Sequence, residues 1–348
     1  MIILERWTSI LTVLVVFLVS VVFYSSQSSF VFAQVRFNSP EGVTVDLGGN
    51  VYVADTNNDR IQKFETDGTF IRSWGTYCEI STGDKGEDPD GTGPLSNGDS
   101  QFKFPIDLGV DSRGYVYVAD WANDRIQKFK PDGTFIRKWG SDGQGNGQFD
   151  VFRGIGVDSA GNVYVADQDN DRIQKFSSGG KFIRKWGTGG SGNGQFGLLS
   201  DVAVSPRTGN VYTAESADNN RIQVFTSGGT FLNKWGSFGS SNGHFDGSVS
   251  LAIDLGGYVY VVDYGNDRIQ KFKPDGTFIR KWGSVGNGPG EFQGPQGIGI
   301  DLSTNNIFVA DTGNNRIQEF TSGGKFIRSW GEFGEVRIQT EDVFGVLR

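Results

Sequence analysis

The chain has 348 residues, with 52 Gly against 9 Pro, 13 % aromatic residues and a single cysteine, Cys78. Such a composition suits many short strands joined by tight turns, and it excludes a disulfide framework within the chain. The 40 acidic and 32 basic residues give a formal charge of −8, which repels phosphate backbones and argues against nucleic acid as a partner.

The first element in chain order is a targeting segment, 1–33. No charge occurs between Trp7 and Val35, and Ile10 to Phe23 is apolar apart from Thr12 and Ser20. The polar run Ser25 to Ser29 and then Val31-Phe32-Ala33 follow, the order of a secretory signal. Its charged start is weak, because Glu5 offsets Arg6. Two outcomes stay open: a signal peptide cleaved after Ala33, or an uncleaved N-terminal anchor, since the uncharged run reaches the ~20 residues of a membrane span. Both predict a secreted or extracytoplasmic protein that meets the membrane only through this segment.

From residue 34 to 331 the chain repeats itself. The block Arg60-Ile61-Gln62-Lys63-Phe64 returns at Arg125, Arg172, Arg221, Arg268 and Arg316, at intervals of 65, 47, 49, 47 and 48 residues. Each period reads as four strands separated by turn residues: Gly154 to Asp158, Val163 to Asp167, Arg172 to Phe176 and Lys181 to Trp186 in the third unit. Four short strands per unit is the spacing of a propeller blade. The sequence therefore predicts an all-β chain, a six-bladed β-propeller of four-stranded antiparallel blades.

The first strands alternate bulk (Val45, Val110, Val157) with small residues (Thr44, Gly109, Gly156), so each blade offers a ridge and a hollow to its neighbours. The recurring Trp residues, such as Trp74 and Trp186, are expected to fill the wider outer wedge. Basic residues on the fourth strands, among them Arg72, Arg184 and Arg280, guard the exposed edge against strand addition.

The long first interval holds an insertion, 76–100, with Glu79, Asp84, Glu87, Asp88, Asp90 and Asp99 against Lys85, a charge of −5. It is expected on the blade rim, as a recognition loop or as a solvated acidic loop. Asp88 and Asp90 within Asp88-Pro89-Asp90-Gly91 weakly resemble a calcium loop. Cys78, in the same insertion, reads as an unpaired loop thiol, with an intermolecular disulfide as the alternative. After the last blade comes a tail, 332–348, where Val336 and Ile338 alternate like a strand.

The second-to-third strand signature resembles that of the NHL repeat family. The matches are Asp55/Asn58 to Gln62, Asp120/Asn123 to Gln127, Asp167/Asn170 to Gln174, Glu215/Asn220 to Gln223, Asp263/Asn266 to Gln270 and Asp311/Asn315 to Gln318. The resemblance implies the propeller fold over about residues 36–331, while one scaffold serves many activities. Relatives include RNA binders, receptor sensor domains, a zinc-dependent amidating lyase and RING ligases. The chain has no Cys/His cluster of the RING type.

The repeated Asp and Arg, such as Asp55 with Arg60, read as a structural ion pair made in each blade. An EF-hand reading of Asp55-x-Asn57-x-Asp59 fails, because Arg60 and Thr66 stand where Gly and Glu are needed. His244 is the sole histidine, so neither a zinc-lyase site nor a His-based triad is supported.

Functional candidates lie where the repeats disagree, on the rim shared by the second-to-third strand turns and the linkers. Trp121 and Tyr264 are large rings in otherwise polar turns. Glu41, Asp107, Arg153 and Asp201 make the channel mouth chemically uneven. The leading expectation is an exported, monomeric, non-enzymatic binding module recognising a protein or other extracellular or cell-surface ligand through this rim. The alternative is a Ca²⁺-dependent hydrolase resembling a propeller lactonase, with Ca²⁺ as cofactor on the mouth carboxylates.

Overall fold

A computed structural model describes residues 36–75, 98–217 and 219–331. Residues 1–35 (with the expected targeting segment), residues 76–97 of the insertion (with Cys78, Asp88 and Asp90), residue 218 and the tail lie outside the described residues. Among the described residues no helix is long and apolar enough to cross a membrane.

Six four-stranded antiparallel sheets follow one another, each built from consecutive strands. They span 40–74, 105–139, 152–186, 198–235, 248–282 and 298–330, hereafter blades 1 to 6. The expected propeller is thus observed, with small boundary differences. The first strand of blade 3 is Phe152–Val157. Asp158 is excluded because its carboxylate accepts from the N–H groups of Ala160 and Asn162 at 3.0 and 2.8 Å, closing a turn. The fourth strand starts at Phe182 rather than Lys181, whose carbonyl accepts from Ser177 N–H.

The β-branched and aromatic residues of the second strands are buried along their whole length, as in Val163–Asp167. Each such strand is covered on both faces by neighbouring blades. The hydrophobic core is accordingly six wedges between blades, one of which joins Tyr117 and Ile126 of blade 2 to Val163, Val165 and Phe176 of blade 3. A Phe from each linker fills every wedge. Phe149 lies 5.7 Å from Phe176 and Phe196 lies 5.7 Å from Phe225, centroid to centroid. The predicted ridge and hollow meet at Gly109, where an added Cβ would stand 2.6 Å from Val157 Cγ2 of the next blade. At Gly156 and Gly299 the close neighbour is backbone instead.

The fourth-strand Trp residues pack as expected, each over a turn glycine of the following blade. A Cβ on Gly133 would meet Trp74 at 2.9 Å, and one on Gly68 would meet Trp330 at 2.9 Å, closing the ring from blade 6 to blade 1. The edge arginines do more than deter association. Arg72 donates to Asp132 O at 2.6 Å and Arg280 to Gly323 O at 2.7 Å, so each holds the next blade's turn.

The repeated ion pair is the centre of a larger hub. In blade 3, Asp167 accepts from Arg172 Nε at 2.6 Å, Gln174 Nε2 at 3.0 Å, Asn170 Nδ2 at 3.0 Å and the backbone N–H of Asp150 at 2.9 Å. Arg172 in turn donates to the carbonyls of Gln144, Gly145 and Gln148 in the incoming linker. Blade 4 reaches the same result with Glu215, whose longer side chain spans a turn one residue longer to Arg221 Nε at 2.9 Å. Asn219, not Asn220, donates to Glu215 at 2.7 Å, and Asn314, not Asn315, to Asp311 at 2.9 Å. This shifts the repeat alignment by one residue in blades 4 and 6.

Asp167→Ala strips the buried Arg172, whose side chain is 7 % exposed, of its counter-charge. It is expected to cost about 3–5 kcal/mol in urea unfolding. Asp55→Ala in blade 1, which frees an Arg60 side chain that is 33 % exposed and can rehydrate, is expected to cost less, about 1–2 kcal/mol. Equal losses in the two variants would contradict the hub.

Candidate functional site

The residues preceding and opening the first strands converge on the ring axis. There they line a cavity of about 210 Å³ that contains Glu41, Asp107, Arg153, Asp201 and Tyr264. Five of the six rim residues singled out in the sequence therefore share one site. The sixth, Trp121, packs under Arg153, with the guanidinium carbon 5.6 Å from the ring centroid.

Two of the carboxyls fasten neighbouring blades. Asp107 of blade 2 accepts from Ile155 N–H of blade 3 at 2.7 Å. Asp201 of blade 4 accepts from Leu251 N–H and Ser250 Oγ of blade 5, both at 2.9 Å, and from its own Val202 N–H at 2.6 Å. Equivalent positions in blades 1, 3 and 6 are Gly42, Gly154 and Gly297. A Cβ on Gly42 would stand 2.7 Å from Asp107 Cα, and one on Gly154 would strike Asp201, 2.6 Å from its Cα. Much of the unevenness of the mouth is therefore packing: an aspartate in one blade faces a glycine in the blade before it.

Burial sets the charge state of the mouth. It pushes Glu41 up to about 7, against the pull of the Arg153 cation. It pushes Asp201 up to about 6, although three hydrogen bonds favour the ionised form. Asp107 is held well above the usual carboxylate range by burial first, with the Asp201 and Glu41 charges adding to it. At neutral pH the mouth is thus partly protonated, with Arg153 as its cation.

The alternative reading, Ca²⁺ on the mouth carboxylates, meets no grouped ligand set among the described residues. No three His, Cys, Asp or Glu side chains are grouped there to hold a metal ion, and Asp107 and Asp201 each fasten a neighbouring blade. The calcium-like spacing at Asp55-x-Asn57-x-Asp59 has another explanation. Asp59 sits in a left-handed turn (φ 48°) and accepts from Phe104 N–H of the next linker at 2.7 Å. His244, standing alone in its linker, shares a hydrogen bond with Ser237 Oγ through Nδ1 at 2.9 Å.

The structure adds residues that repeat comparison does not single out. Leu198, 41 % exposed, lines the mouth. Phe104, 39 % exposed, meets Trp121 edge to face at 6.3 Å. Phe104 and Val151 adopt φ of 53° and 46°, a left-handed conformation held at the equivalent linker positions by Gly247 and Gly294. For a bulky or β-branched side chain this is strained. Both strained residues flank the Trp121–Arg153 pair. The sequence signal is present in retrospect: large residues stand where the linkers into blades 5 and 6 carry glycine and the one into blade 1 carries Ser39.

Comparison with known proteins agrees with this architecture. Residues 37–64 match the NHL repeat, and residues 247–330 match a 6-bladed beta-propeller family. The chain is similar to NHL repeat-containing protein 3 of Homo sapiens, with 32 % identity over 108 residues, covering 30 % of this chain and 26 % of that protein. It is also similar to peptidyl-glycine alpha-amidating monooxygenase A of Xenopus laevis, with 34 % identity over 107 residues, 30 % of this chain and 10 % of that protein. The match thus spans a minor part of each of these relatives. Among solved structures, a streptogramin B lyase superposes with a TM-score of 0.55 at 16 % identity, covering 86 % of this chain and 85 % of that one. That likeness concerns the fold.

Glu41 provides a check on the mouth. Its carboxyl is raised in the folded state, so the folded protein holds a proton that the unfolded chain releases near 4.5. The stability from this group is present at and below about pH 4.5 and is lost as pH rises to about 7. Melting temperatures of Glu41→Gln and the parent are expected to diverge across that window, with the variant falling less. Parallel profiles would show that Glu41 is not desolvated.

Proposed function

We propose that this NHL-repeat, six-bladed propeller is an exported binding module whose ligand, a protein segment or other extracellular group, seats on the rim at the axial mouth. The observation that carries the reading is the convergence on one cavity of Tyr264, 44 % exposed, with the Trp121–Arg153 stack beside it. A rigid ring presents these groups, and an aromatic and an Arg in a concave site are the residue types that dominate binding energy. The strained Phe104 and Val151 support the same side of the mouth. Strain of this kind, about 1–3 kcal/mol each, is held in place by the surrounding structure, as Phe104 is by its N–H donating to Asp59 at 2.7 Å.

Export rests on the uncharged N-terminal run. It predicts that an alkaline-phosphatase fusion, active only outside the cytoplasm, is active when joined after residue 34. An inactive, fully expressed fusion would remove that part of the reading.

The rim is tested by immobilising the parent and variants and capturing partners from an extracellular extract. Trp121→Ala and Tyr264→Ala are expected to reduce capture of a specific partner at least tenfold with melting unchanged. Val151→Gly is expected to raise stability by about 1 kcal/mol through strain relief while weakening capture. Undiminished capture by all three variants would sink the rim as the binding surface.

A further inference from the structure

A second cavity, about 370 Å³, lies below the mouth and is lined by the first strands of all six blades. Asp107, Asp201 and Ser250 line both cavities. The two therefore meet at a polar collar formed by the pair of carboxyls that fasten the blades. Beyond the collar the walls turn apolar, with Val110, Val157, Val204 and Ile253. The far opening is fringed by Leu47, 61 % exposed, and Leu255, 50 % exposed, with Pro206 and Leu302 completing an arc over four consecutive blades. Blades 2 and 3 carry Ser112 and Ser159 at the equivalent turn position.

We propose that this channel is a binding site for a small organic cation with an apolar body, a primary alkylammonium in its simplest form. The chain would enter from the Leu47–Leu255 side and the ammonium would lodge at Asp107 and Asp201. The volume falls within the range of small-molecule cavities. Charge complementarity chooses the head group. No Lys or Arg is among the residues lining this cavity, so nothing in the protein neutralises the collar from below. From the mouth side, Arg153 and Glu41 face the collar and offset each other. At the far end, Asp46, Asp111 and Asp158 are each engaged by their own turn, as Asp46 is by Gly48 N–H at 2.9 Å, and each is offset by a lysine of its blade, as Asp158 is by Lys175 Nζ at 4.0 Å, so the collar carboxyls alone choose the head group. A carboxylate has about four acceptor sites, more than the hydrogen bonds Asp107 and Asp201 already accept, so an ammonium can still donate to them, whereas a carboxylate head would be repelled. This site is separate from the rim reading, since neither Trp121 nor Tyr264 lines it.

The test is calorimetric titration of the full chain with butyl-, hexyl- and octylammonium, octanol and octanoate at pH 7.5. Saturable one-to-one binding of octylammonium is expected, at least tenfold tighter than octanol, with no binding of octanoate. Affinity should rise about fourfold per methylene while the channel fills. Asp201→Asn should lower octylammonium affinity at least tenfold, and Leu255→Ser, on the exposed fringe, severalfold. Octanol or octanoate binding as tightly as octylammonium, or no saturable binding of any of them, would overturn the proposal. If Asp201→Asn fails to fold, the head-group series on the parent protein still decides, and it does so without any rim partner.

Discussion

A buried carboxylate at the end of the second strand governs this molecule. In blade 3 Asp167 is inaccessible to solvent and accepts four hydrogen bonds. Two come from the third strand, one from the turn between and one from the linker that arrives from blade 2. An isolated buried charge is expensive, and burial becomes tolerable only when every lone pair is used and a cation lies alongside. That requirement couples the hairpin to the linker. The Arg that neutralises the Asp must itself be satisfied, and its remaining donors find the linker carbonyls. Each blade thus sets the path by which the chain enters it. Repeated six times, a local electrostatic demand fixes the approach of every linker, and the linker Phe then lands in the wedge between blades.

The same logic explains why the ring closes without exchanging strands between blades. Blade 6 reaches blade 1 by contacts found at other junctions: Trp330 over Gly68, Thr312 Oγ1 donating to Pro40 O at 2.7 Å as Thr56 does to Pro105 O, and Asn315 Oδ1 accepting from Ser39 N–H at 2.8 Å. Nearest-neighbour interfaces supply the cohesion, as in other repeat architectures. A closed ring differs in leaving an axis where six strand edges face one another. Their outward N–H groups need acceptors, and Asp107 and Asp201 supply them for blades 3 and 5. The acidity of the mouth is therefore partly a consequence of closure.

The repeats made the fold legible. Arg-Ile-Gln-Lys-Phe at near-constant intervals, a strand ending in Asp and a Trp closing each unit leave little choice of architecture. Trp121 and Tyr264 were legible for the opposite reason: each breaks the repeat with a large ring in a turn where the other blades carry Thr56, Gln168, Ser216 and Thr312. Phe104 escaped because a Phe near a Pro in a linker looks ordinary until its φ of 53° is known. Leu198 escaped because an apolar residue opening a strand is expected to be buried. The pairing of Asp107 with Gly154-flanked blade 3 and of Asp201 with blade 5 spans 48 to 50 residues, so no local pattern announces it. Blade 4 shows a further limit, where an inserted residue and a Glu for Asp exchange compensate each other only in three dimensions.

Function on such a ring has to reside where the six units stop being equal, because an interaction made identically by every blade is already committed to holding the ring. The mouth is unequal in two distinct ways. The Asp–Gly alternation has a packing cause, and it cannot by itself argue for a ligand. The cluster of Phe104, Trp121, Val151 and Arg153 is unequal in another way: Trp121 packs against the wedge between blades 2 and 3, while bulk stands in strained, left-handed backbone beside it and a guanidinium stacks on its ring. A scaffold stabilised at so many other places tolerates that cost, and the strained residues stay in register because the hubs on either side hold both ends of their linkers. The side of the mouth formed by blades 2 and 3 is where the molecule departs from what stability alone would select.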